Sequence, residues 1–115
     1  MTTRRRDPVL GRRVEITGAS GERYAFTRLE ADSPLRAVGV TYVIAEPAKG
    51  DWQVLEAGET NDLAAGGWRA SLDAARAEHP KAECLIRLNV SRSIRVAEVD
   101  DIVQKHAPPA ADPEA

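Results

Sequence analysis

The residues that could do chemistry are few and scattered along the chain. His79 and His106 lie far apart, and neither belongs to a cluster with the spacing of zinc ligands. Asp100 and Asp101 could attract a divalent ion, but neighbouring residues on a helix diverge by about 100°, so the pair reads as a solvated acidic face. Cys84 is the only cysteine; within Cys84-Leu85-Ile86 it reads as a small buried hydrophobe. Nucleophilic catalysis lacks its signatures, since there is no Gly-x-Ser-x-Gly elbow and no spaced Cys/His pair. Gly18-Ala19-Ser20-Gly21 is glycine-rich, yet it falls between two strand patterns. A phosphate cradle needs a strand-to-helix junction with amides aimed at the anion, so these four residues read as a turn. Trp52 and Trp68 offer stacking platforms for bases, with packing the commoner role.

Charge narrows the partners only a little. The 115 residues carry a net charge of −2, which gives no overall pull toward nucleic acid. The distribution is uneven: residues 1–30 hold seven arginines, including Arg4-Arg5-Arg6, against four acids. A basic arm on an acidic body could touch phosphates; the plainer reading is a solvated leader. No apolar run approaches the roughly 20 residues of a membrane span, and no apolar segment follows the N-terminal arginines as a secretory signal requires. The expectation is a cytoplasmic protein without a membrane association.

The elements that must position these residues are legible as periodicities. Residues 1–12 are expected to be a disordered basic arm, 13–107 a single domain, and 108–115 a disordered tail. Val14-Glu15-Ile16-Thr17 and Arg23 to Leu29 alternate as strands, predicting an N-terminal β-hairpin over 13–30. Val38 to Ala45 is apolar on both alternating faces, which predicts a central, covered strand. Pro47 to Asp51 reads as a turn into a partner strand, Trp52 to Ala57, on which Glu56 shares a face with Val54. Gly58 ends that strand, permitting positive φ or close approach of another backbone. A helix starts near Trp68 and stops at His79-Pro80, with a further strand over Glu83 to Val90. Ser91 caps a second helix over Arg92 to His106, its predicted inward stripe being Val96, Val99, Ile102, Val103 and His106. The fold class is α/β of the α+β kind: one small mixed sheet, a hairpin followed by β-β-α-β-α.

Three segments of this pattern carry a family likeness. Val40-Thr41-Tyr42 stands where one superfamily has Gly-Ile/Val-Tyr. Glu56-Ala57-Gly58 stands where it has Tyr-Ile/Val-Gly, and Gly58 to Leu63 parallels the Gly-Glu/Gln-Thr-x-Asp/Asn-Leu that follows. Val96 to Val103, leading to Pro108-Pro109, parallels an Ala-Glu-x-Asp-Leu-Ile helix with a Pro-Pro ending. Together, over Val38 to Pro109, the chain resembles the GIY-YIG superfamily, whose active members are metal-dependent endonucleases. The resemblance implies a tyrosine that activates water, an arginine for phosphate charge and a glutamate that holds Mg²⁺ or Mn²⁺.

The chain departs from that set. Tyr42 keeps the first tyrosine, but Glu56 replaces the second. The arginine position, eight residues beyond Gly58, is Gly66; the metal-binding glutamate position falls on Val99, and the asparagine after Pro-Pro on Ala111. The expectation is therefore a GIY-YIG-like, non-catalytic binding or interaction module without cofactor, and not an enzyme. Its expected contacts are Tyr42, Gly58, Thr60, Asn61, Trp68 and Arg69, and its partner is a protein or a nucleic acid. The alternative is a divergent endonuclease using Mg²⁺ or Mn²⁺ at a rebuilt site of Tyr42, Glu56, Arg69 and Glu98.

Overall fold

The computed structural model describes residues 13–30 and 35–106. The expected basic arm over 1–12 and the tail over 108–115 lie outside the described residues. Within them the chain forms β1 (Arg13–Thr17), β2 (Arg23–Arg28), β3 (Val40–Ala48), β4 (Asp51–Thr60), α1 (Trp68–Glu78), β5 (Glu83–Leu88) and α2 (Arg92–His106). The strands make one sheet of order β1-β2-β5-β3-β4, an α+β arrangement.

Every pairing in that sheet is antiparallel, where the sequence reading expected a mixed sheet. The reason is topological. The crossover through α1 does leave β4 and β5 running the same way, as such a connection requires. But β3 lies between them and pairs antiparallel with both, so the two parallel strands are never neighbours.

β3 is the covered central strand its sequence predicted. Val40 and Ile44 join Leu55, Leu63, Trp68 and Leu72 in the core beneath α1. Val43 and Ala45 join Phe26, Val54, Leu85 and Ile102 in the core beneath α2. Each face thus has its own helix, and a strand buried on both faces reads as a continuous apolar run.

The β3–β4 connection is tighter than Pro47 to Asp51. Both strands continue to Ala48 and Asp51, leaving a two-residue loop of Lys49 (φ 51°) and Gly50 (φ 82°). Positive φ at both positions is the type I′ geometry that matches strand twist. Pro47 sits inside β3 because β5 ends opposite Ala45, so its missing N–H deprives no neighbour of a bond. A bulge then shifts the register: Ile44 pairs with Glu56 but Ala45 with Val54, leaving Leu55 as the extra residue. Side chains alternate strictly along a strand, so the extra residue reverses parity. Glu56 therefore faces α1 while Val54 faces α2, correcting the expectation that they share a face.

α2 begins and ends where predicted. Ser91 caps it through Oγ to the Ile94 N–H (3.4 Å) and through its carbonyl to the Arg95 N–H (3.0 Å). Its inward stripe is different. Arg95, Glu98 and Ile102 are buried, whereas Ile94 and Val96 are 50% and 43% exposed. A helix that turns charge inward must find partners for it on the sheet.

Candidate functional site

The α2 face of the sheet carries those partners. Arg92, Arg95, Glu98 and Asp101 recur at every third position, so they form one ridge along the helix. Each meets a polar group on a strand or turn.

Arg95 is 1% exposed and fully engaged. Its Nε donates to Glu59 Oε1 on β4 (2.8 Å), its Nη1 to the Asn89 carbonyl (2.8 Å), and its Nη2 to Asn61 Oδ1. Glu59 Oε2 also receives Arg92 Nε at 3.4 Å. Gly39 makes the space: a Cβ there would lie 3.0 Å from Arg95 Cζ and 3.0 Å from the Asn89 oxygen. One turn on, Glu98 is 6% exposed. It accepts from the Thr41 hydroxyl at Oε1 (2.8 Å) and from Arg87 Nε at Oε2 (3.1 Å). Arg87 reaches onward to the Ala25 carbonyl (3.3 Å) and stacks 5.5 Å from the Tyr24 ring.

Asp101 closes the ridge against the β1–β2 turn. Its carboxylate accepts from the Ser20 N–H (2.9 Å), the Ser20 hydroxyl (2.7 Å) and the Tyr24 hydroxyl (2.8 Å). These donors, Ser20 first and then Tyr24, hold the Asp101 carboxyl below its ordinary range. Tyr24 is pushed the other way, to about 12, first by burial and then by its bond to Asp101. Gly18 leaves room for this carboxylate, whose Cγ would lie 2.5 Å from a Cβ at that position. His106 Nε2 meets the Thr17 carbonyl at 2.9 Å, anchoring the last turn of α2 to the end of β1.

The α1 face is organised differently. Tyr42 is half-buried, and its hydroxyl finds no hydrogen-bond partner among the described residues. Its ring lies across Gly58, its partner on β4; a Cβ at Gly58 would sit 2.5 Å from the Tyr42 oxygen. Gly58 therefore accommodates a side chain, and its φ is not positive. Burial raises the Tyr42 pKa, and the neighbouring carboxylate of Glu56 raises it further. Trp68 is buried, with its indole N–H on the Leu63 carbonyl at 2.8 Å. Arg69 lies 5.0 Å over the Trp68 ring and donates to the Ala64 carbonyl at 3.2 Å. Thr60 Oγ1 accepts the Asp62 N–H at 3.1 Å, closing the turn that leads toward α1. A cleft of about 330 Å³ opens between β4 and α1, with Leu55, Glu56, Ala75 and Glu78 on its walls.

The sequence-predicted residues are thus divided between the two faces. Tyr42 and Glu56 are neighbours on the α1 side. Glu98 lies on the other side, bound to Thr41, the residue before Tyr42 and hence its opposite in orientation. Arg69 is exposed on α1, occupied with Trp68. Asn61 belongs to Arg95, and Trp68 to the core. Val99 is half-buried on α2. At Gly66 a Cβ would meet Thr60 Oγ1 at 3.0 Å and the Asp62 carbonyl at 3.2 Å, which leaves little room for an arginine. Among the described residues no three His, Cys, Asp or Glu side chains gather as metal ligands.

Arg95, Glu59, Thr41, Arg87 and Gly39 were missed by reading the sequence for motifs. The available signal was the three-residue spacing of charge on α2, set against charged or hydroxyl residues on otherwise apolar strands. Comparison with protein-family models, curated proteins and solved structures finds no match for this chain. Among the described residues no helix is long and apolar enough to cross a membrane.

Proposed function

We propose that the chain is a non-catalytic binding module of GIY-YIG-like architecture, with the N-terminal hairpin as an addition to the core and a protein as its partner. One observation carries the reading: Tyr42 and Glu98 lie on opposite sides of the sheet, and Glu98 already holds Thr41 and Arg87. Metal-assisted phosphodiester cleavage needs the base and the metal-bearing carboxylate to converge on one phosphate. A hydrated Mg²⁺ also needs a carboxylate with open, solvated positions, unlike a buried oxygen pair that ties a helix to a sheet. The chain order of the elements from β3 onward, β-β-α-β-α, supports the architectural half of the proposal.

Tyr42 is the centre of the proposed contact face, because its ring is only half-buried against the α1 core and its hydroxyl has no hydrogen-bond partner among the described residues. The test is plasmid nicking by the full chain with Mg²⁺ and with Mn²⁺, beside Tyr42→Phe and Glu98→Gln. No nicking by any of the three is expected. Metal-dependent nicking that either substitution abolishes would overturn the proposal in favour of a rebuilt endonuclease site.

A further inference from the structure

The proposed module leaves one long strand edge open. β4 ends the sheet on its side, and among the described residues its only pairing partner is β3. Beyond the bulge the register is unbroken, from Glu56 opposite Ile44 to Thr60 opposite Val40. Such an edge presents unpaired backbone donors and acceptors to any extended chain that approaches it.

Its charge is one-sided. β4 contains Asp51, Glu56 and Glu59 and no lysine or arginine. Glu59 is already bound by Arg95 and Arg92 on the α2 face. Glu56 and Glu78 line the cleft between β4 and α1, and among the described residues neither has an ion-pair partner and no basic side chain other than His79 lines it. His79 Nδ1 itself lies 2.6 Å from Glu46 Oε1. The small residues Ser71, Ala74 and Ala75 and the apolar Leu55 complete the wall.

We infer that the outer edge of β4 over Glu56–Thr60 takes an extended peptide strand bearing a lysine or arginine, whose side chain enters the β4–α1 cleft. This rests on the binding-module reading and names the partner's chemistry. A residue added opposite Glu56 points its side chain to the same face as Glu56. There its aliphatic stem lies along Leu55 and the alanines, and its charged tip reaches Glu56 and Glu78. The next same-face position falls opposite Gly58, where the Tyr42 ring supplies the contact surface. A nucleic-acid backbone would meet the same two carboxylates and be repelled.

The experiment is an amide-shift titration of the full chain with a capped peptide of about seven alternating valines and threonines carrying a central arginine. Control probes are the same peptide with a central glutamate, the arginine peptide N-methylated at alternate backbone nitrogens, and a single-stranded oligonucleotide. The arginine peptide is expected to shift the amides of Glu56 to Thr60. Affinity should fall about fivefold in Glu56→Gln/Glu78→Gln, and the N-methylated peptide should not bind. No shift at about millimolar peptide, the range of weak association, would overturn the inference, as would equal binding of the glutamate peptide or the oligonucleotide at this edge. Either failure, with nicking still absent, would remove the peptide partner and leave the non-catalytic reading standing; metal-dependent nicking would remove that reading instead.

Discussion

The two faces of the sheet are built from the same strands, yet they use polarity in opposite ways. Under α2, Thr41, Glu59 and Arg87 are bound to Glu98 and Arg95, so that α2 docks through charge as much as through its one large buried apolar side chain, Ile102. Under α1, Trp68 and Leu72 dock the helix by apolar burial, His79 at its C-terminal end meets Glu46, and among the described residues Tyr42 and Glu56 are left without hydrogen bonds or ion pairs. The contrast separates polarity that holds a fold together from polarity that is available for contact. A buried ion pair is weak evidence for net stability, but removing one partner of it is costly. An unpartnered hydroxyl at a half-exposed position can be removed at little cost. The two faces should therefore respond very differently to substitution.

The largest expected effect is at Arg95. Arg95→Met keeps most of the volume but leaves Glu59 with Arg92 alone and frees Asn61 and the Asn89 carbonyl. Breaking a buried pair this way costs about 3 kcal/mol, which urea unfolding should report as a lower midpoint with an unchanged slope. A loss below about 0.5 kcal/mol, the scale of an ordinary surface substitution, would mean that the ridge is not what seats α2.

A more selective effect is expected at Asp101, which joins the same ridge to the β1–β2 turn. Its carboxyl titrates below the ordinary value, so the ionised form is favoured by folding. Its stabilising contribution is complete above the unfolded carboxyl pKa of about 4, and is lost as pH falls through the lower folded value. The midpoint gap between the parent chain and Asp101→Asn should hold steady from neutral pH to about 4 and narrow below that. A gap that widens on acidification would contradict the assignment.

The sequence made the elements legible but not their inner faces. β3 was readable because a strand covered on both sides needs apolar residues at odd and even positions alike, and Val38 to Ala45 supplies them. The limits of α2 were readable from Ser91 and the helical pattern up to His106. Its buried stripe was not. Hydrophobic periodicity assumes that burial selects apolar side chains, whereas here Arg95 and Glu98 point inward and Val96 outward. Charge goes in because the facing strands already carry Thr41, Glu59 and Arg87, pairings remote in sequence that no local pattern displays. The bulge at Leu55 was invisible for a similar reason: it is a property of two strands in register, not of one. That single extra residue puts Glu56 beside Tyr42.

A smaller effect sharpens the contrast from the α1 side. Cys84 lies in that core, and burial pushes its thiol up to about 12, with Arg76 acting in the other direction. The thiolate is the reactive form, so a thiol reagent at pH 8 should modify the folded chain slowly and the urea-unfolded chain fast. Rapid modification without unfolding would show the α1 core to be more open than its packing implies.

The most direct test sets the two faces against each other in one measurement: urea unfolding of Glu98→Gln beside Tyr42→Phe. Glu98→Gln removes the charge that Thr41 and Arg87 bind, with Arg87 about one-third exposed, and should cost about 1.5 kcal/mol. Tyr42→Phe removes a hydroxyl that no described residue bonds, and should change stability by less than about 0.5 kcal/mol. That inequality is what a fold-holding α2 face and a contact-ready α1 face require. Equal losses, or a larger loss at Tyr42, would contradict the division on which the binding-module reading stands.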